Sequence, residues 1–295
     1  HVVSRLRADR LILSGGPLGY DHPDLGELLI NVSADFETEG IELTELLLQC
    51  KQVQFTGSGG IGGEGKGFLA LEGNVDLASL TQALPSTLRI RPGVRIDEGY
   101  VSLSASVDGP IDALAFEGSV GLPRLVGIRD ASVIAWDAPV ECQVKGTFEN
   151  EILNIERATF SSPFLQVKGS GGADRLTFDM TSDMGAAMRE IGKFVDLGNW
   201  RVAGGLNLTA GITLLEQGYR DMQVELNVKQ GQVKEGNTVL MPQSTTSVSL
   251  SCGIEQPESE AGAWSLRQGS LSWSSWISEG TSRWDVVSVQ SRGED

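Results

Sequence analysis

Apolar and polar residues alternate along most of this chain. Val140, Cys142 and Val144 alternate with Glu141, Gln143 and Lys145, and Val101, Leu103, Ala105 and Val107 alternate with Ser102, Ser104 and Ser106. A period of two sends successive side chains to opposite faces of a strand. In Leu153-Asn-Ile155-Glu-Arg-Ala158-Thr-Phe160 the phase slips between Ile155 and Ala158, the mark of a β-bulge. Turn-forming clusters such as Glu149-Asn150-Glu151 and Ser161-Ser162-Pro163 separate the alternating runs. The pattern predicts an all-β, antiparallel chain.

The pattern also repeats. Residues 32–60 and 144–172 align without a gap at an offset of 112, with Phe36 on Phe148, Gln54 on Gln166 and Gly57 on Gly169. Apolar falls on apolar: Leu43 on Ile155, Leu48 on Phe160, Phe55 on Val167; the phase slip recurs between Leu43 and Leu46. Both copies end in Gly-Ser-Gly-Gly, expected to close the strand, and glycine-rich 57–67 is expected to be a flexible hairpin connection. It lacks the phosphate-loop pattern, because Lys66 is followed by Gly67. A strand over Phe68–Val75 follows. Asp76 then opens a short helix near 76–84, stopped by Pro85, with a counterpart near 183–195 behind Asp183.

Gly99–Val107 matches Gly204–Ile212, and Ala113–Val120 matches 221–228. Leu88–Arg91 and Val94–Ile96 are expected to lead into the Gly99–Gly109 strand, Leu125–Trp136 to form one further strand, and Asp9–Ser14 to be an opening strand before a Gly15-Gly16-Pro17 break. A looser third copy starts near Pro242 and carries an acidic insertion over 255–260. The expected architecture is a single elongated, curved antiparallel sheet over 1–295. It contains about two and a half repeats (28–130, 131–240, 241–295), with short marginal helices and a frayed Ser-Arg-Gly-Glu-Asp end. Because the chain starts at His1 rather than Met, it is expected to be a fragment of a longer protein.

Charge and composition narrow the chemistry. A formal charge of −16 argues against nucleic acid, which needs clustered Lys and Arg. Cys50, Cys142 and Cys252 form no C-x-x-C pair, and His1 and His22 are the two imidazoles, so neither a metal site nor a cofactor is expected. Cys142 and Cys252 are in phase with Val144 and Leu250 and read as small apolar residues. The same scarcity of histidine argues against a Ser-His or Cys-His nucleophile. The carboxylates fall on the polar phase of strands, such as Glu117 and Glu141, or in turns, such as Asp97, Glu98 and Glu149, and are expected to be solvated. No apolar run reaches the ~18 residues of a membrane helix. The chain is therefore expected not to be an enzyme.

The order of strand pair, Gly-Ser-Gly-Gly, strand, Asp-led helix, G-x-V-x-L-x-A-x-V-x-G, x-L-x-F-x-G and W-D-x-P-V resembles the C-terminal regions of bacterial AsmA-like envelope proteins, the group of TamB and YhdP. The residues that carry it are Asp76, Leu77, Gly99, Val101, Leu103, Gly109, Phe116, Gly118, Trp136, Asp137, Pro139 and Gly169, over about 28–215. The acidic insertion and the tryptophans of the tail (Trp264, Trp273, Trp276, Trp284) depart from it.

The resemblance implies a periplasmic segment of an inner-membrane-anchored protein, whose β groove conducts phospholipid or another acyl lipid for outer-membrane biogenesis. The membrane would be reached through other parts of the parent protein. Candidate lipid-contacting residues are the apolar positions of one phase: Val101, Leu103, Phe116, Val144, Ile155, Phe160, Val167, Leu206 and Leu208. Two other classes stay open. One is a β-sandwich scaffold or adhesion module with its rows sealed in a core. The other is a carbohydrate-active protein whose tail tryptophans cluster beside carboxylates.

Overall fold

The computed structural model describes the chain except residues 14, 16, 17, 19, 20, 39, 63, 64, 151, 215–218, 256–263, 276–278 and 290–295; side chains are also undescribed at 37, 219, 254, 255, 264–268, 279 and 281–289. The fold is all-β and antiparallel, with two short helices. The chain divides into two compact units, His1–Pro163 with Arg189–Gly198, and Phe164–Met188 with Asn199–Asp295.

The first unit is a meander of β1 (Val2–Ile12), β2 (Asp24–Glu37), β3 (Gly40–Gln49), β4 (Val53–Ile61) and β5 (Lys66–Asp76), then helix α1 (Leu77–Ala83), then β6 (Val94–Pro110), β7 (Ala113–Leu122), β8 (Leu125–Arg129), β9 (Ser132–Trp136), β10 (Val140–Glu149) and β11 (Ile152–Ser161). β1 through β7 pair in chain order, β10 joins β7, and β11 joins β10. The expected bulges are present and equivalent. The register shifts between Ser33↔Glu45 and Ala34↔Leu43, and between Lys145↔Arg157 and Gly146↔Ile155, the same two steps at an offset of 112.

Several expectations change. The first Gly-Ser-Gly-Gly segment does not close its strand: Gly57–Gly60 lies inside β4, and the turn begins only at Gly62; in the second copy Gly169–Gly171 is still paired, and the strand ends at Gly171, within the segment. The opening strand is Val2–Ile12 rather than Asp9–Ser14, and Ser14, Gly16 and Pro17 lie outside the described residues. Leu88–Arg91 is not strand; Ile90 makes a single bridge to Val195. Val94–Ile96 and Gly99–Gly109 are one strand, bulged at Ile96/Glu98, whose first part pairs with β8 and whose later part pairs with β5 and β7.

Leu125–Trp136 is a hairpin, not one strand. It turns through Asp130 and Ala131, at φ 49° and 67°. A two-residue primed turn demands positive φ at both positions, and Asp-Ala lacks the glycine that usually announces it. An alanine in the left-handed region is strained, so Ala131→Gly is expected to stabilise this unit by about 0.5–1 kcal/mol. A raised denaturant midpoint at unchanged slope would register it; a lowered midpoint would refute it.

One end of the β6 strand carries the small core. Ile96, Leu125 and Phe194 are 3%, 7% and 3% exposed, and Leu77, Ala78, Ile134 and Trp136 pack against them. The Trp136 and Phe194 rings meet edge to face at 5.7 Å. Asp76 caps α1 by accepting from the Ala78 and Ser79 amides, as expected. Asp21 is buried in the β1–β2 connection, where it accepts from the amides of Ser86 (3.2 Å) and Thr87 (2.6 Å). Desolvation pushes its carboxyl up, but the donations from Thr87 and Ser86 outweigh that and hold it below its ordinary value. A lowered folded-state value adds stability that is complete above the ordinary carboxylate value and is lost as the pH falls from there through the lowered folded-state value. Acid titration of the melting temperature should therefore be flatter for Asp21→Asn than for the parent chain; equal slopes would exclude this role.

The second unit contains β12 (Leu165–Gly171), β13 (Arg175–Asp183), β14 (Trp200–Leu214), β15 (Tyr219–Glu235), β16 (Thr238–Glu255), β17 (Trp264–Ser274) and β18 (Glu279–Val289), paired in chain order. Helix α2 (Met184–Phe194) follows β13, as α1 follows β5, and Asp183 accepts from the Ala186 amide. Pro242, near the expected start of the looser third copy, does not begin a strand. It sits inside β16 where the register slips between Gly231↔Ser244 and Val233↔Met241, the kind of irregularity that accommodates a residue without an N–H. The acidic insertion beyond Glu255 and the last six residues lie outside the described residues.

Candidate functional site

The ladders sort every strand residue onto one of two faces. Directly paired residues point the same way, and neighbours along a strand point oppositely. In the first unit one continuous row reads Leu6–Ile30–Leu48–Phe55–Gly73–Leu103–Val120–Cys142–Phe160. The next row on that face reads Ser4–Val32–Leu46–Gly57–Leu71–Ala105–Gly118–Val144–Ala158, and the next Val2–Ala34–Leu43–Gly59–Leu69–Val107–Phe116–Gly146–Ile155. Val53, Val75 and Val101 form a row on the side of α1, and Phe36, Ile41 and Ile61 one at the hairpin tips.

The other face is polar. One of its rows reads Arg5–Asn31–Leu47–Thr56–Glu72–Ser104–Ser119–Gln143–Thr159, with a 2.8 Å hydrogen bond between the Ser104 and Ser119 hydroxyls. Two of the carboxylates expected to be solvated lie here: Glu117 shares a row with Lys145 and Arg157, and Glu141 one with Ser161.

The second unit repeats the division. Val167–Met180–Leu208–Leu226–Val248–Trp273 form an apolar row, and Leu165, Leu206 and Val228 lie in the row beside it. Lys168–Asp179–Thr209–Glu225–Ser249–Ser272 form a polar one on the reverse. The nine sequence-derived candidates therefore fall on apolar faces. Val101, Leu103, Phe116, Val144, Ile155 and Phe160 share that of the first unit, and Val167, Leu206 and Leu208 that of the second. All nine are half-buried. Leu6, Ile30, Leu48 and Phe55, not among those nine, complete the Leu103 row. The 112-residue offset carried the signal for two of them, since Leu48 matches Phe160 and Phe55 matches Val167.

Glycines interrupt these rows without making them polar. The Phe55 ring lies over Gly73, and the Phe116 ring over Gly146, where an added Cβ would stand 2.7 Å from the ring and against the Asn154 carbonyl. Phe178 covers Gly169 in the same manner, 2.7 Å from such a Cβ. An aromatic ring laid over a cross-strand glycine keeps the surface apolar and the register fixed.

Little covers this face. Among the described residues the buried apolar side chains are Ile96, Leu125, Phe194 and Cys252. Leu6, Val120, Ile61 and Phe148 are 55%, 45%, 53% and 41% exposed. A Cβ on Gly99, which would point to the same face as Val101 and Leu103, would meet Leu125 and Leu77, so α1 and β8 seat on the apolar face at that end. The apolar stripe of α1 is thus a core contact. Cys252 is buried as expected, and burial pushes its thiol up, with Asp221 adding to the shift; Cys142 is only half-buried.

Among the described residues there is no group of three or more His, Cys, Asp or Glu side chains able to hold a metal, and no helix long and apolar enough to cross a membrane. A concavity of about 690 Å³ opens on the second unit between the polar rows Glu225–Ser249–Ser272 and Asn227–Ser247–Ser274. Val248, Trp273 and Gly280 also line it, but it occupies only part of β15–β18, whereas the apolar face of the first unit crosses nine strands and is the stronger candidate. Of the four tail tryptophans, only Trp273 has a described side chain, and its ring lies over Gly280. Compared with family models, curated proteins and solved structures, this chain finds no match.

Proposed function

We propose that this chain is a non-enzymatic, lipid-carrying segment of an AsmA-like bacterial envelope protein, working in the periplasm in outer-membrane biogenesis. The parent protein would supply the membrane anchor, and the cargo is phospholipid or another acyl lipid. The observation that carries this reading is the apolar face of the first unit, where rows of aliphatic and aromatic side chains cross nine strands half-buried or exposed. Contiguous apolar surface on this scale marks a binding surface rather than a solvated one. At ~4.8 Å per strand it is about 38 Å across. An acyl chain gains about 0.8 kcal/mol for each methylene it buries and needs no directional polar contact, in keeping with central rows that carry no Lys, Arg, His, Asp or Glu.

The test is direct. Protein purified without detergent is extracted into organic solvent, and the extract is analysed by mass spectrometry. Phospholipid at a near-stoichiometric level is expected. Extracts free of lipid across independent purifications would overturn the proposal and leave a ligand-free β scaffold.

A further inference from the structure

The polar face of the second unit carries a concavity that the function proposed above does not use. Its volume of about 690 Å³ falls in the size range of small-molecule sites. On this face β16 and β17 set serine opposite serine at three successive pairs, Ser247↔Ser274, Ser249↔Ser272 and Ser251↔Ser270. A strand surface chosen for pairing alone would take Thr, Val or Tyr. Short side chains at successive pairs instead leave a trough, with Glu225 and Asn227 of β15 along one side.

The polar groups of this trough are unpaired. In the first unit the opposed Ser104 and Ser119 hydroxyls bond to each other, and in the second Thr209, directly opposite Glu225, donates to Asp179 at 3.1 Å. Among the described residues, the side chains of Glu225, Asn227, Ser247, Ser249, Ser272 and Ser274 make no hydrogen bond or ion pair within the chain. Each serine hydroxyl can donate once and accept twice, Asn227 can do both, and Glu225 accepts. Among the described lining residues Glu225 is the one titratable group. An anion therefore meets a carboxylate and no cation, and a divalent metal meets a single carboxylate where it takes several oxygen ligands. A neutral polyol fits, because its hydroxyls donate and accept in turn as the serines do.

We propose that this concavity binds a neutral oligosaccharide, whose hydroxyls pair with the serine rows and Asn227 and donate to Glu225. The sheet places its serines about 4.8 Å apart across each pair and about 6.8 Å apart along each strand, so hydroxyls of consecutive sugar rings are met together. The site is independent of the apolar face and stands whether or not the chain carries lipid.

The whole chain is titrated at low ionic strength, by calorimetry, with maltotriose, with tri-N-acetylchitotriose and with the anionic trigalacturonate. Saturable binding of at least one neutral probe is expected, and trigalacturonate should bind at least about fivefold more weakly, the scale of a modest surface charge repulsion. Ser249→Val/Ser272→Val removes two hydroxyls and keeps side chains that suit a strand; it should weaken the neutral probe about tenfold or more. Ser104→Val/Ser119→Val, the same change on the polar face of the first unit, should leave the affinity as it is. Glu225→Gln, at an exposed position, keeps the test open if the first valine pair fails to fold, and should bring trigalacturonate toward the affinity of the neutral probe. Absence of saturable binding by both neutral probes overturns the proposal. Equal affinity for trigalacturonate in the parent chain overturns the neutral class, and a neutral affinity that Ser249→Val/Ser272→Val leaves intact overturns the placement.

Discussion

Under the proposed lipid-carrying function, Leu103→Arg is expected to abolish co-purification of lipid, while Ser104→Arg leaves it unchanged. The two residues are neighbours on β6 and point to opposite faces, Leu103 into the row of Phe55, Val120 and Cys142, Ser104 into the row of Glu72 and Ser119. An arginine set among lipid chains costs about 2–4 kcal/mol where it cannot reach water, and each 1.4 kcal/mol is about tenfold in occupancy. Leu103 lies in the row next to Val101, far from the hairpin tips, so its guanidinium has a poor route to solvent. A fall in extracted lipid of about thirtyfold or more is expected. Circular dichroism should stay close to that of the parent chain, because Leu103 is only half-buried. Equal lipid in the two variants, or equal loss from both, would show that face identity does not govern binding.

Phe194→Ala should have the largest effect on stability, about 3–5 kcal/mol in the first unit. The residue is 3% exposed, packs on Ile96 and Leu125, and meets the Trp136 ring edge to face. No second cluster of buried apolar residues is described in that unit to compensate. The loss should also be local. Amide exchange should accelerate over 94–99 and 125–136, which pair beside this core, while β2–β5 keep their protection through their own ladders. A loss below about 1 kcal/mol would mean that the cluster does not hold that end of the unit together.

Much of the candidate face was written in the sequence, because a strand's side-chain period is two and any apolar row shows itself as alternation. Val101-Ser-Leu103-Ser-Ala105-Ser-Val107 displays both faces at once. The slip between Leu43 and Leu46 and its counterpart between Ile155 and Ala158 marked the bulges, since an inserted residue must shift the phase. Asp76 and Asp183 marked the two helices, because a capping carboxylate acts on amides two or three residues away. The glycine segments lie in strand although their composition predicts turn. Gly57–Gly60 is strand because Leu71, Leu69 and Phe68 of the paired strand supply the apolar cover that the glycines lack.

Local sequence by itself thus determined most strands, their phase and the helix starts, which depend on residues within a few positions of one another, and the 112-residue offset showed that the bulged unit recurs. The tertiary structure alone decided the rest. β6 leaves β8 for β5 and β7 partway along its length, Asp130-Ala131 reverses the chain without a glycine, and Phe194 closes a core with Ile96 and Leu125 from far along the chain. These are choices among partners distant in sequence, fixed by which surfaces can be packed together at once, and alternation within a strand is the same whichever neighbour it takes.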